Sequence, residues 1–431
     1  MTTIDEQGKT TDPTIASRRS VLRGLAGGGA ALGALAAAPA VAQSMKQPPG
    51  RDADIAQQAQ PFYGEHQAGI LTPAPAAGLV ASFDVLATSR PDLERMFRTL
   101  TERIAFLMGG GTPPELDPKF PPADSGVLGP VIVPDNLTVT AAVGASLFDQ
   151  RFGLAEAKPR ELAAMTSFPN DALDPEYCHG DLLLQFSSNT PEANIHALRA
   201  VLKATPDLLS LRWKLDGFLP AATSKAGRKE TARNLLGFKD GTANPSPADG
   251  TLMDQIVWIK PGTEEPAWTV GGTYQVVRIV RNFVERWDRT PLQEQQTIIG
   301  REKASGAALG LKDEFDEPDY SGDPEGKTMP VDAHIRLANP RTHQTASSRI
   351  LRRGFNYSRG VTKSGQLDMG LLFICFQSSL KAGFITVQDR LNGEPLEEYI
   401  KPTGGGYFFA LPGVPDKDGY LGQGLLQSVS T

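Results

Sequence analysis

AGLVASFDVLATSRPDLERMFRTLTERIAFL spans residues 77–107. Its first eleven residues, 77–87, have the apolar content and the length of a single strand. Pro91-Asp92-Leu93 then opens an amphipathic helix to about Leu107. Leu93, Met96, Phe97, Leu100, Ile104 and Leu107 share one face of it. Downstream, NLTVTAAVGASLF (136–148) reads as a strand. DLLLQFSS (181–188) reads as a buried strand, with PEANIHALRAVLK (191–203) as the helix behind it. Strand–helix–strand–strand–helix–strand is the ferredoxin-like order, so the expected class is α+β.

The pattern loosens over 213–230 and then starts again. DQIVWIKP (254–261) and GGTYQVVRIVRNF (271–283) read as strands, and PLQEQQTIIGRE (291–302) as a helix. GLLFICFQSS (370–379) reads as a strand, followed by a helix near 382–392. This looks like the same unit repeated, without visible identity between the halves. The expected domains are 61–225 and 226–431. Between the later elements lies DEFDEPDYSGDPEGKTMP (313–330), acidic and turn-rich. It reads as an exposed loop of the kind that frames sites.

Bulk properties fit two or three domains in 431 residues that are 40% hydrophobic. A formal net charge of -6 offers no basic patch for nucleic acid. Two cysteines exclude a disulfide scaffold and a cysteine-rich metal site. Cys178 and Cys375 lie in apolar contexts and read as buried thiols. No stretch beyond the N-terminus has the ~18 apolar residues of a membrane span. Residues 1–42 read as an export signal: Arg18–Arg19, a weakly apolar run from Gly24 to Ala38, and the exit Ala40-Val41-Ala42. This twin-arginine start predicts delivery to the periplasm or beyond, and a protein folded around a cofactor before export. Residues 43–60 read as a polar linker.

There are five histidines: His66, His179, His196, His334 and His343. No two have the spacing of a zinc or di-iron motif. His196, on its helix, reads as a surface or groove residue. His334 stands out by context, in VDAHIRLANPRT (331–342), beside Arg336 and Arg341. That setting suits an axial ligand to an iron porphyrin whose propionates need cations, or else a loop histidine with solvated arginines. In SSRILRRGFNY (347–357), Arg352 and Arg353 would face opposite sides of a strand. One could face a cavity while the other stays solvated. GFKDGTANP (237–245) has two readings. Asp-Gly between apolar segments is a hairpin signal. Alternatively, Gly237 and Gly241 let the backbone approach a flat cofactor and hold Asp240 over it.

Together, GFKDGTANP, DAHIRLANPR and ILRRGFNY resemble the dye-decolorizing haem peroxidases, most nearly the twin-arginine-exported deferrochelatase/peroxidase subgroup. HQAGILTP (66–73), HGDLLLQ (179–185), RNFVERWDRTPLQEQQTIIGR (281–301) and GGGYFFALPGV (404–414) support the resemblance, which spans nearly all of the mature chain. It implies two ferredoxin-like domains of the dimeric α+β barrel type, with one b-type haem in the C-terminal domain. It implies His334 as the proximal iron ligand, and Asp240 and Arg352 on the distal side. It further implies haem contacts from Gly241, Thr242, Ala243, Asn339, Pro340 and Arg341, and a homodimer.

The implied activity is reduction of hydrogen peroxide at the expense of an organic donor such as a dye. Asp240 would shuttle a proton between the peroxide oxygens, and Arg352 would stabilise the departing one. The proximal histidine of many relatives donates to a carboxylate. FICFQSSLKAG, where Gln377, Ser378 and Ser379 fall, offers none. Trp258, Trp268, Trp287 and Tyr357 are candidate electron relays, with ordinary packing favoured for each. Two other functions fit the resemblance: iron release from haem as substrate with the porphyrin left whole, in partnership with iron-uptake components, and a haem carrier without turnover.

Overall fold

The computed structural model describes residues 57–220 and 231–429, with the backbone of 224–225 and 228–229 between them. The leader (1–42) and most of the linker (43–60) lie outside the described residues, as does most of 221–230, where the domain boundary is expected.

The first half follows the order read from sequence. Its elements are β1 (Ala77–Val85), α1 (Arg90–Gly109), β2 (Thr138–Gly144), β3 (Leu182–Ser188), α2 (Pro191–Ala204) and β4 (Leu209–Phe218). Helix α1 starts where the sequence says it should. The Ser89 side chain accepts from Asp92 N, Pro91 sits in the first turn, and Gly110 ends the helix at φ +71. The six residues assigned to its apolar face are all at most 1% exposed. Burying each such side chain stabilises the fold by roughly 1.5–3 kcal/mol before entropy is counted.

The second half is built from α3 (Gly250–Ile256), β5 (Thr273–Asn282), α4 (Leu292–Ile299), α5 (His334–Ala338), β6 (Leu351–Arg352), β7 (Phe355–Val361), β8 (Leu367–Gln377), α6 (Thr386–Leu391) and β9 (Ile400–Ala410). One expected strand is absent. DQIVWIKP instead forms the last turns of α3 and the bend after it, because Asp249 caps a helix by accepting from Leu252 N. Ile256, Val257 and Trp258 of this segment, with Met253 just before it, pack into the barrel core. A short buried apolar run satisfies either periodicity, and the cap decides.

The pairings between these strands are antiparallel. The first half has the spatial order β4-β1-β3-β2, and the second has β9-β5-β8-β7, with β6 continuing the line of β7 along β8. Both are the fourth-first-third-second order of a ferredoxin-like unit. The halves join edge to edge. Phe408–Ala410 of β9 pairs with Ala142–Gly144 of β2, and Phe218 of β4 pairs with Asn356 of β7. Eight strands therefore close into one barrel with no free edge. At the β4–β7 seam the Phe355 ring lies on Gly78 and its Cβ on Gly217, and a Cβ at either glycine would come within 2.6 Å of that side chain.

The barrel interior is a single core drawn from both halves, including Val80, Leu183, Val277, Ile279, Leu372 and Phe376. A second core fills the outer face of the first half beneath α1 and α2. The outer face of the second half is not filled in that way, and the site lies there. Among the described residues no helix is long and apolar enough to cross a membrane.

Candidate functional site

Residues 234–245 leave the first half and turn twice before α3. A single antiparallel bridge, Arg233 to Lys239, closes a tight turn over 234–238, but Asp240-Gly241 lies beyond that turn and is not the tip of a hairpin of paired strands. The Asn234 side chain accepts from Leu236 N and Phe238 N, and Gly237 takes φ +85. A Cβ at Gly237 would meet only the flexible end of Lys303, so it is the positive φ that favours glycine here. Asp240 N donates to Ala232 O at 2.8 Å, and Asn244 N to Gly241 O at 2.9 Å. The loop therefore presents Asp240 at the centre of a doubly pinned segment.

Arg352 meets it from β6. Arg352 Nη1 donates to Asp240 Oδ1 at 2.5 Å. Asn244 fixes the arginine backbone from both sides: its Nδ2 donates to Arg352 O at 3.0 Å, and Arg352 N donates to its Oδ1 at 2.8 Å. Asn234 Nδ2 approaches Asp240 Oδ2 at 3.4 Å. Burial works against a charged Asp240, but the neighbouring Arg352 guanidinium outweighs it and holds the carboxyl below its ordinary value.

His334, the first residue of α5, lines the same cavity as Asp240 and Arg352. Its Nδ1 lies 2.7 Å from Glu394 Oε2, and the Glu394 side chain is only 3% exposed. Burial disfavours the imidazolium, yet the Glu394 carboxylate raises the His334 pKa overall. The acceptor therefore does not lie near FICFQSSLKAG. Gln377 is engaged by Cys375 Sγ and Tyr274 O, and Ser379 donates to Glu161. Glu394 is 60 residues beyond His334, just after α6, in a polar stretch with no distinguishing spacing. With Nδ1 committed, Nε2 is the atom left for a ligand.

The cavity measures about 290 Å³ and lies on the outer face of β5, β8 and β9. Leu236, Phe238, Ile335, Leu371, Phe373 and Phe384 give it apolar walls. Gly241, Thr242, Ala243, Asn339 and Arg341 line it as expected, whereas Pro340 is not among its lining residues. Arg341 sits at φ +57 and pairs with Glu317 at 3.1 Å. Arg301 and Arg349 add two further cations to the lining. Flat apolar walls, cations on the lining and one imidazole nitrogen free to ligate suit an amphipathic, anionic, metal-bearing ring.

Two sequence expectations fail for one reason. The register from Arg352↔Cys375 to Phe355↔Leu372 is unbroken, so Arg353 does face away from Arg352. That other face is the barrel interior, not solvent, and Arg353 is only 8% exposed, with its pKa pushed down to about 10 by burial. His196 is likewise inside, 1% exposed, with Nε2 at 2.7 Å from Asp124. Both are covered by segments distant in sequence.

Trp258, Trp268, Trp287 and Tyr357 are all buried. Trp258 stacks on His66 at 3.6 Å, and Trp287 Nε1 donates to Leu236 O behind the cavity wall. Cys178 and Cys375 are buried free thiols.

Residues 67–219 match the family model described as Dyp-type peroxidase, N-terminal, and residues 231–415 match that described as Dyp-type peroxidase, C-terminal. The chain belongs to the Dyp-type peroxidase family. It is therefore an enzyme, and its α+β barrel is the fold of that family. Curated relatives include the Deferrochelatases of Shigella sonnei (strain Ss046) and Escherichia coli O157:H7. Each is 58% identical over 417 residues, covering 95% of this chain and 97% of theirs. Among solved structures, a DyP-type peroxidase from Cellulomonas bogoriensis aligns with TM-score 0.77 at 33% identity, covering 86% of this chain and 99% of that one. Ferric DtpA from Streptomyces lividans aligns with TM-score 0.78 at 32% identity, covering 87% and 98%. Among Dyp-type peroxidases this chain is thus aligned along both halves, and its cavity lies wholly within the described residues.

Proposed function

We propose that this Dyp-type peroxidase binds one haem b per chain, with His334 as the iron ligand through Nε2. The apolar walls would hold the ring, and Arg341 with its neighbouring cations would meet its carboxylates. When bound, haem would supply the iron that takes up peroxide and the two electrons that break its O–O bond.

The observation that carries the reading is the Asp240–Arg352 pair, which shares one cavity with His334. The Asp240 carboxylate takes the proton from one peroxide oxygen and returns it to the other, which departs as water. The Arg352 guanidinium places its charge where the leaving oxygen gains electron density. Glu394 keeps the His334 ring oriented and its Nδ1 occupied. An organic electron donor then restores the resting state. Mixing the haem-loaded protein with peroxide should change the visible spectrum at once, and a donor dye should reverse that change. No spectral change with peroxide contradicts the reading.

A second activity draws support from the 58% identity to relatives named Deferrochelatase. Removal of iron from haem leaves two ring nitrogens, each of which must take up a proton. Asp240 is one ionisable group on the cavity lining that can serve such a transfer. Incubation with haem should then release fluorescent protoporphyrin. Fluorescence no greater than the protein-free control contradicts this activity.

The same reading places residues 1–42 as a twin-arginine export signal and the working protein in the periplasm or beyond. It divides the chain near residue 225 and pairs two copies as a homodimer.

A further inference from the structure

The acidic segment 313–330 reaches the Asp240 loop through the Glu314 side chain. Glu314 Oε2 accepts from Lys239 Nζ at 2.5 Å, and its Oε1 accepts from Thr242 Oγ1 at 3.0 Å. Lys239 and Thr242 stand on either side of Asp240 and Gly241. One carboxylate therefore grips the loop immediately before and shortly after the aspartate. The Lys239 and Glu314 side chains are 9% and 10% exposed, so water does not compete freely for the contact. Burial disfavours a charged Glu314, but hydrogen bonds from Lys239, Thr231 and Thr242 prevail and keep it ionised.

Glu314 is itself anchored. Arg301 Nη1 donates to Gly306 O at 2.6 Å and to Glu314 O at 3.3 Å. The lysine stem passes close over Gly306, where a Cβ would lie 2.6 Å from Lys239 Cδ. On the other side, the Asp240 carboxylate has only the long contact from Asn234 besides Arg352. Rotation of the loop about Asp240 is thus resisted by the side chains of residues 239 and 242 in addition to the backbone bonds of Asp240 and Asn244. A buried ion pair is weak support for stability but can hold one local geometry among several.

We infer that Glu314 is a positioning residue for the peroxide reaction, holding the Lys239–Thr242 segment so that the Asp240 carboxylate stays on Arg352 and over the cavity. The inference rests on the peroxidase reading of Asp240. It assigns Glu314, which is not on the cavity lining, a part in the chemistry without contact to any reactant.

The test is a double-mutant cycle on the haem-loaded full chain. Glu314→Ala should lower the second-order rate constant for peroxide by roughly 10- to 100-fold at unchanged haem absorbance, the scale of a misplaced reacting group. Glu314→Gln, which can still accept from Thr242, should fall between Glu314→Ala and wild type. In an Asp240→Asn background, Glu314→Ala should change the rate by less than about twofold, because the residue acts through Asp240. Amide exchange over Gly241–Asn244 in the full chain should quicken in Glu314→Ala. A wild-type rate in Glu314→Ala, an equal loss in both backgrounds, or unchanged exchange overturns the inference while leaving Asp240 its role. A wild-type rate in Asp240→Asn alone overturns the role of Asp240, and this inference with it.

Discussion

The two halves of the barrel have the same strand order and opposite fates on their outer faces. In the first half a 20-residue α1 with α2 covers the sheet, and the space between is filled with apolar side chains. In the second half the equivalent helices are α4, of eight residues, and α6, whose six residues have none buried and which follows directly on one π turn at Lys381–Ile385. Segment 300–350 is inserted between α4 and β6, and it brings α5 and the acidic loop to the rim. The strand plan alone therefore does not make a site. The site appears where the helical layer is too short to fill the sheet face and other segments line the gap with charge.

That contrast can be broken by substitution on either side. Phe97→Ala, in the filled half, should cost about 3–5 kcal/mol of stability. Denaturant unfolding should show it, with peroxide kinetics of the remaining folded protein unchanged. Slowed kinetics at full folding would mean that the halves are not separable in this sense. On the open side, Arg352→Leu should lower the peroxide rate constant of the folded protein by roughly 10²–10³-fold, and the stabilisation from its pair with Asp240 is lost with it. A loss below tenfold would remove the arginine from the charge-stabilising role.

Asn244→Ala should be milder. It removes two hydrogen bonds to the Arg352 backbone, each worth about 0.5–1.5 kcal/mol. A rate loss of several-fold is expected, with no effect at all when Arg352 is already leucine.

The smallest effect is that of pH. The folded Asp240 pKa lies below the ordinary carboxylate value of about 3.9 because of Arg352. The carboxylate is the working form, so the rate should hold steady from neutral pH down to about 4 and fall as pH drops through the lowered value. The stabilisation from the Asp240–Arg352 pair has the same sign: present above about pH 3.9 and lost below. In Arg352→Leu the fall should move to higher pH. An unmoved profile would mean that another group limits the rate.

The strands and α1 were legible because apolar spacing alone sets which face is buried, as Leu93 to Leu107 show. Asp240, His334 and Arg352 were legible as motifs, not as a site. Their meeting depends on a sheet register that spans 112 residues between the aspartate and the arginine. Glu394 and Glu314 were illegible. One sits in a plain polar turn, and the other is one of several acids in 313–330. Asn244 stands within GFKDGTANP without a signal of its own, because Asn-Pro also closes an ordinary turn. Arg353 and His196 were misplaced because sequence alternation separates two faces without saying which of them meets water.

The central claim is that the Asp240 carboxylate moves the proton. The most direct measurement is the second-order rate constant for hydrogen peroxide in Asp240→Asn and wild type, at equal haem content and unchanged resting spectrum. A loss of about 10²–10⁴-fold is predicted. A rate within about threefold of wild type would contradict the account.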